Sequence, residues 1–294
     1  MKKNKKLVGP LLQLFFVDYL CSQRRASPET VSSYRDTWRL LLQYINDTHG
    51  VPPVSLTLDD LNASVILSFL DHLESGRKNS IKSRNVRLAA IRTFFRLVAL
   101  NEPACVHQAT SIIAIPTKRT SKRLIHFLSK EEINALIAAP DVVHLSGRRD
   151  HALLLTLYNS GARASEILSL RKSQIAFGSC NFLCLHGKGR KERTIPLWTN
   201  TASILQNWLK DAAHFQSDLV FMNANGQKLT RNGLNYILQG AVKRASQSCP
   251  SLRAKSVTPH VLRHTTATHL LQSGVDISVI ALCESRHFFG QNLR

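Results

Sequence analysis

Two residues after Pro116 begins the run Lys118-Arg119-Thr120-Ser121-Lys122-Arg123, which places four basic residues in six and shows no hydrophobic period. A segment of that kind cannot join a core on either side, so it reads as an extended linker. This break constrains the fold more than any other feature, because the chain changes character across it. Before it the apolar spacing is helical throughout; after it strand-like alternation enters. The expected organisation is two folded units, residues 1–113 and 127–294, joined by a basic linker over 114–126. The expected class is mainly α with a small β-sheet.

In the first unit, "LLQLFFVDYLCSQR" carries a helical period, and "SPETVSSYRDTWRLLLQYINDTHG" opens with Ser27 as cap and Pro28 at the first helical position. Gly50, Pro52 and Pro53 end that helix. A third helix is expected from Thr57 through "TLDDLNASVILSFLDHLESG", whose acidic first turn suits the helix dipole. A fourth, "NSIKSRNVRLAAIRTFFRLVAL", carries Arg84, Arg87, Arg92 and Arg96 along an otherwise apolar helix. These arginines read either as a solvated face or as a phosphate-contacting face on a four-helix bundle.

Beyond the linker, Ser129 and Glu132 form a capping-box pattern before "INALIAA". Helices follow around Arg148 to Ser160 and Ala164 to Leu170. "CNFLCLHGKGRKERTIPL" then reads as two short strands joined by a Gly-Lys-Gly turn, with further helices in "TASILQNWLKDAAHF" and "RNGLNYILQGAVKRA".

Charge narrows the partner. The chain has 39 basic and 19 acidic residues, a net +20, and splitting it at Phe127 leaves +10 on each side. Two folded halves of equal positive charge suggest a clamp around nucleic acid, since lysines and arginines that neutralise phosphates release counterions. The linker residues Lys118, Arg119, Lys122 and Arg123 fit the same partner. No run of eighteen apolar residues or secretory signal is evident, so a cytoplasmic protein without a membrane span is expected. Six cysteines without a C-x-x-C pair read as reduced packing thiols, and neither a structural metal nor a cofactor is expected.

Three segments supply the chemistry. "TPHVLRH" sets His260 and Arg263 at i and i+3 near a helix start, where the guanidinium, the imidazole and the backbone N–H groups all favour an anion. The His260/His264 spacing matches a zinc protease, but Val261 stands where such an enzyme needs its glutamate, and no third ligand is evident. "NSGARASEILSL" places Arg163 after Gly161, with Glu166 three residues on to hold the guanidinium or the adjoining backbone. "HGKGRKERTIPL" sets Lys188 at a hairpin tip, where it can give a proton to a leaving alkoxide, while Arg190 and Lys191 suit backbone phosphate.

With "GARASEILSL", "GKGRKERTIPL" and "TPHVLRHTTATHLLQSGVDISVIAL" in that order, the chain resembles the tyrosine recombinase (phage integrase) family, particularly its Xer-like members. The resemblance covers nearly the whole chain. It implies an N-terminal helical, SAM-like core-binding bundle, a basic linker and a mixed α+β catalytic domain that cuts and rejoins duplex DNA without metal, as an assembly of protomers. It assigns Arg163 and Arg263 to the scissile phosphate, Lys188 to the general acid toward the 5'-hydroxyl, and His260 to the H-x-x-R box.

The resemblance fails at the C-terminus. The family continues past "VIAL" with Leu-Gly-His and then a nucleophilic tyrosine, whereas this sequence reads "VIALCESRHFFGQNLR", and its last tyrosine is Tyr236. The expectation is a truncated or frameshifted tail, with His287 as a displaced substitute for the missing histidine and no nucleophile. Three readings remain open: a recombinase inactive alone, a strand-transferase using another nucleophile, and a DNA-binding protein without chemistry.

Overall fold

The computed structural model describes residues 6–120, 126–186 and 192–279. The chain divides into two compact units, Met1–Lys122 and Arg123–Arg294.

The first unit is helical. α1 (Val8–Gln13) runs on through Leu14–Gln23 in wider π-helical geometry. α2 (Pro28–His49) starts where the Thr30 N–H donates to Ser27 Oγ and stops where Gly50 turns left-handed, φ 65°. The helix expected from Thr57 begins later. Thr57 and Asp60 close a capping box around a single 3₁₀ turn, Leu58–Asp60, and Asn62 then caps α3 (Ala63–Ser75) by accepting from the Val65 N–H. Two cap-forming residues five apart divide what a period alone reads as one helix. α4 (Ile81–Asn101) packs against α2, α3 and a further helix, α5 (Val106–Ile113), which the sequence reading did not anticipate. Phe15, Trp38, Phe69, Phe94 and Phe95 fill the core, with Trp38 and Phe94 edge to face at 4.5 Å.

The second unit packs its helices on one another and adds a small antiparallel sheet. α6 (Lys130–Ala138) carries the expected capping box, with the Ser129 N–H donating to Glu132 Oε2 at 2.8 Å. α7 (Leu145–Ser160) ends at left-handed Gly161 and α8 (Ala164–Leu168) follows at once. The sheet order is β1 (Ile175–Ala176), β2 (Phe182–His186), β3 (Glu192–Pro196). β1 extends the expected hairpin by one short edge strand. The register pairs Leu183 with Ile195 and Leu185 with Arg193, so all four face inward. α9 (Thr199–Asp211) packs on α7, and α10 (Arg231–Ser248) on α6. α11 (Pro259–Gln272) packs on α7, capped by Thr258 with Pro259 in its first turn. Proline there lacks only an N–H that the helix would have left unbonded.

Candidate functional site

The site gathers at the C-terminal end of α7, where the chain reverses through Gly161 into α8. Gly161 sits at φ 55°, a conformation that costs other residues strain and glycine none. The turn leaves the Gly161 carbonyl unclaimed by either helix. Arg263, four residues into α11 and only 7% exposed, donates to that carbonyl from Nη1 at 2.5 Å. Thr266, one turn on, donates from Oγ1 to the Tyr158 carbonyl at 2.7 Å. α11 is thus fastened to the end of α7 at two successive turns, and the "GAR" and "HVLR" segments are neighbours.

Arg163 is the N-cap of α8. Its backbone N–H donates to Glu166 Oε2 at 2.8 Å, and its guanidinium reaches Glu166 Oε1 at 2.9 Å while remaining 45% exposed. One carboxylate therefore fixes both the helix start and the side chain. Glu166 itself is buried, and its second partner is Arg193 of β3. Arg193 forms a two-pronged pair, Nη1 to Oε1 at 2.8 Å and Nη2 to Oε2 at 2.6 Å, with only 6% of its surface exposed. Burial by itself would push the Glu166 carboxyl up. The Arg193 hydrogen bonds, the Arg163 N–H, the charge of Arg193 and the Arg163 guanidinium outweigh it and hold the group at about 2.

His260 lies on the exposed first turn of α11, and its Nε2 is 3.0 Å from that of His264, one ring donating to the other. Deeper in the same helix, His269 is buried and accepts or shares a hydrogen bond with the Tyr158 hydroxyl at Nδ1, 2.8 Å away. Burial lowers the His269 pKa, which favours a neutral ring, and burial raises that of Tyr158. Asn159 ties α7 to the end of β3, donating to the Pro196 carbonyl at 3.2 Å and accepting from the Trp198 N–H at 2.9 Å. A cavity of about 230 Å³ lies beside these groups, lined by Gly161, Trp198, Arg263, Thr266 and Leu270 among others.

The structure thus joins Arg163 to Glu166, and Arg263 to the turn that precedes Arg163, with His260 on the same helix as Arg263. Lys188, Arg190 and Lys191 at the hairpin tip, Lys122 and Arg123 in the linker, and His287 lie outside the described residues. Glu166 was read correctly as the partner of Arg163. Arg193 was missed, although strand alternation in "ERTIP" puts it on the same inward face as Ile195, and an inward arginine requires a buried acid.

The arginines of α4 divide. Arg84 is 3% exposed, with Nε 3.4 Å from Glu74 Oε1 and Nη1 bonded to the Pro116 carbonyl, so its role is internal. Arg92 is half-buried and bonds the Ile115 carbonyl. Arg87 donates to the Ser33 carbonyl and Thr37 Oγ1. Arg96 is exposed. In the linker Lys118 pairs with Glu74 at 2.7 Å and Arg119 is exposed. Among the described residues no group of three or more His, Cys, Asp or Glu side chains is arranged to hold a metal ion, and no helix is long and apolar enough to cross a membrane.

Comparison with known proteins identifies the family. A model of the phage integrase family matches residues 126–283, and a model of the phage integrase N-terminal SAM-like domain matches residues 15–101. The chain is 45% identical to the y4rC protein of Sinorhizobium fredii over 96% of its own length and 85% of that protein's. It is 30% identical to the tyrosine recombinase XerC of Oceanobacillus iheyensis, over 89% of this chain and 83% of the relative. In fold it is similar to the XerH site-specific recombinase solved on its palindromic difH substrate, with a TM-score of 0.68 and 21% identity over 90% of this chain and 75% of that one. The chain belongs to the phage integrase family of tyrosine recombinases.

Proposed function

We propose that the chain acts on duplex DNA as a site-specific recombinase of the tyrosine type, with Arg163 and Arg263 gripping the scissile phosphate. The observation that supports this most is the support behind the two arginines. Arg263 is braced on the Gly161 carbonyl, and Arg163 on a carboxylate that Arg193 pins from below. Cations fixed in advance stabilise the charge that builds on a pentacoordinate phosphorus without reorganising as it forms, and a single such donor is worth roughly 3 to 4 kcal/mol. In this reading His260 hydrogen-bonds the same phosphate and Lys188 protonates the leaving 5'-oxygen. Two guanidiniums supply the positive charge, so strand cleavage needs no metal and survives EDTA.

Residues 1–113 form the core-binding domain, 114–126 a linker lying on DNA, and 127–294 the catalytic domain, in the cytoplasm, with several protomers assembling on one site. The +10 on each side of Phe127 supports contact by both halves. Arg87, Arg96, Lys118, Arg119, Lys122, Arg123, Arg190 and Lys191 are the phosphate contacts, while Arg84 and Arg92 hold the core-binding domain together. That a solved neighbour, the Tn1549 transposon integrase, was determined in complex with circular intermediate DNA supports the same partner. With roughly eight phosphates neutralised, the log-log dependence of DNA affinity on salt has a slope near about −7, and a slope near about −2 refutes the reading.

A second reading, DNA binding without strand cleavage by these 294 residues alone, is favoured by one observation. All five tyrosines lie at or before Tyr236, ahead of the H-x-x-R box. A nicked suicide substrate separates the two. No covalent adduct from the chain as given, and an adduct once residues from Cys283 are replaced by a Leu-Gly-His and tyrosine tail, supports a built phosphate pocket lacking its attacking atom. No adduct from a grafted chain that folds and binds DNA refutes the pocket assignment.

A further inference from the structure

His260 and His264 occupy the same face of α11 one turn apart, and the helix holds their Nε2 atoms 3.0 Å from each other. Two imidazole nitrogens bound to one cation at about 2.1 Å stand roughly 3.0 Å apart when at right angles and roughly 3.4 Å apart when tetrahedral. The Nε2 spacing of the pair therefore equals that of a right-angle chelate, which turning the rings toward a common point would complete. The hydrogen bond between the rings holds one proton between two nitrogens that both offer lone pairs in their other tautomer. A cation replaces the bond between the rings with two bonds to nitrogen, and the proton shared between the rings is given up. His260 is exposed and His264 half-buried, so an ion reaches both from solvent.

We propose that His260 and His264 form a two-imidazole site for a late first-row divalent transition cation, with solvent filling its other positions, and that an ion bound there withdraws His260 from the phosphate pocket. The affinity follows the order of these ions for nitrogen ligands, cupric ion first and nickel next. The second half of the proposal rests on the phosphate-pocket reading given above; the first half does not. The consequence is inhibition by traces of such metals of a protein whose own chemistry needs none.

Electron paramagnetic resonance of the untagged full chain with substoichiometric Cu²⁺ tests the site directly. The expected spectrum shows two equivalent nitrogens, and it changes to a weaker, different centre in both His264→Gln and His264→Ala. Titration with Ni²⁺ is expected to weaken by at least about tenfold in either variant. Because the chain has twelve histidines, the comparison with the variants carries the assignment. A wild-type spectrum without a two-nitrogen centre, or one unchanged in both variants, overturns the site. A duplex-DNA titration in the presence of Ni²⁺ reads the consequence, with affinity falling for the wild type and holding for His264→Gln. If the cupric centre is found but both proteins respond alike to Ni²⁺, the site stands and its link to the phosphate pocket falls.

Discussion

Glu166 carries two arginines, and removing its charge has a cost that follows from the geometry. Its carboxyl titrates at about 2 against an ordinary 4.5. Each unit is worth about 1.36 kcal/mol, so the folded state gains roughly 3 kcal/mol from keeping it ionised at pH 7. Breaking a buried ion pair from one side costs about 3–5 kcal/mol, which brackets the same figure. Glu166→Gln leaves Arg193 buried at the inward face of β3 without its counter-charge, so the second unit should lose about 3 kcal/mol. The sign of the pH dependence is fixed. A carboxyl depressed in the folded state contributes fully above its unfolded value and loses that contribution as pH falls toward the folded value. The advantage of wild type over Glu166→Gln should shrink from roughly 3 kcal/mol at pH 7 to roughly 2 kcal/mol at pH 3.5. Urea denaturation followed by hydrogen exchange of peptides from α8 and β3 isolates this unit from the N-terminal one. The double variant Glu166→Gln/Arg193→Met should recover most of the loss, because both charges are then gone. A deficit under about 1 kcal/mol at pH 7, or one that does not shrink with acid, refutes the reasoning.

Gly161→Ala meets no steric obstacle, since its new carbon would lie 3.6 Å from Thr266 Cγ2, but it must hold φ 55°; a loss of about 1 kcal/mol in thermal or urea unfolding is expected. Arg84→Leu should destabilise the N-terminal unit by about 2 kcal/mol or more, because Glu74 and the Pro116 carbonyl lose a buried partner, and equal stability by hydrogen exchange in that unit would contradict it. Tyr158→Phe strips His269 Nδ1 of its hydroxyl partner and should cost about 1–2 kcal/mol, read from the melting of α7 and α11 peptides. Burial lowers the His269 pKa, so the stability held by its neutral ring falls as pH drops through the ordinary imidazole range, which urea unfolding at a series of pH values reads.

Local rules fixed most of the helices. Ser27, Ser80, Ser129, Thr230 and Thr258 each cap the helix that follows, and each stands in the sequence just before an apolar period. Boundaries were lost where caps compete. Thr57 and Asn62 both form caps, and only the structure assigns the 3₁₀ turn to one and α3 to the other. α5 was illegible because eight residues are too few for a period to stand out from a loop.

The cations of the candidate site stood out in the sequence, and what holds them did not. Arg163, His260 and Arg263 announce themselves because a guanidinium beside a glycine turn and an imidazole on a helix start have few packing uses. Arg84 looks identical in sequence, yet it spends its charge on Glu74 inside the first unit. What separates the two is the acid opposite. Glu74 and Glu166 both lie in helices, and each is satisfied by an arginine distant in sequence, which no local spacing encodes. A test for such pairs exists in the pattern itself. A charged residue at an inward strand position, as Arg193 is beside Ile195, must be matched by an acid buried with it, and within this unit Glu166 at the start of α8 meets that requirement. Arg163, sharing the same carboxylate but 45% exposed, is the member of the trio left free to meet something outside the fold.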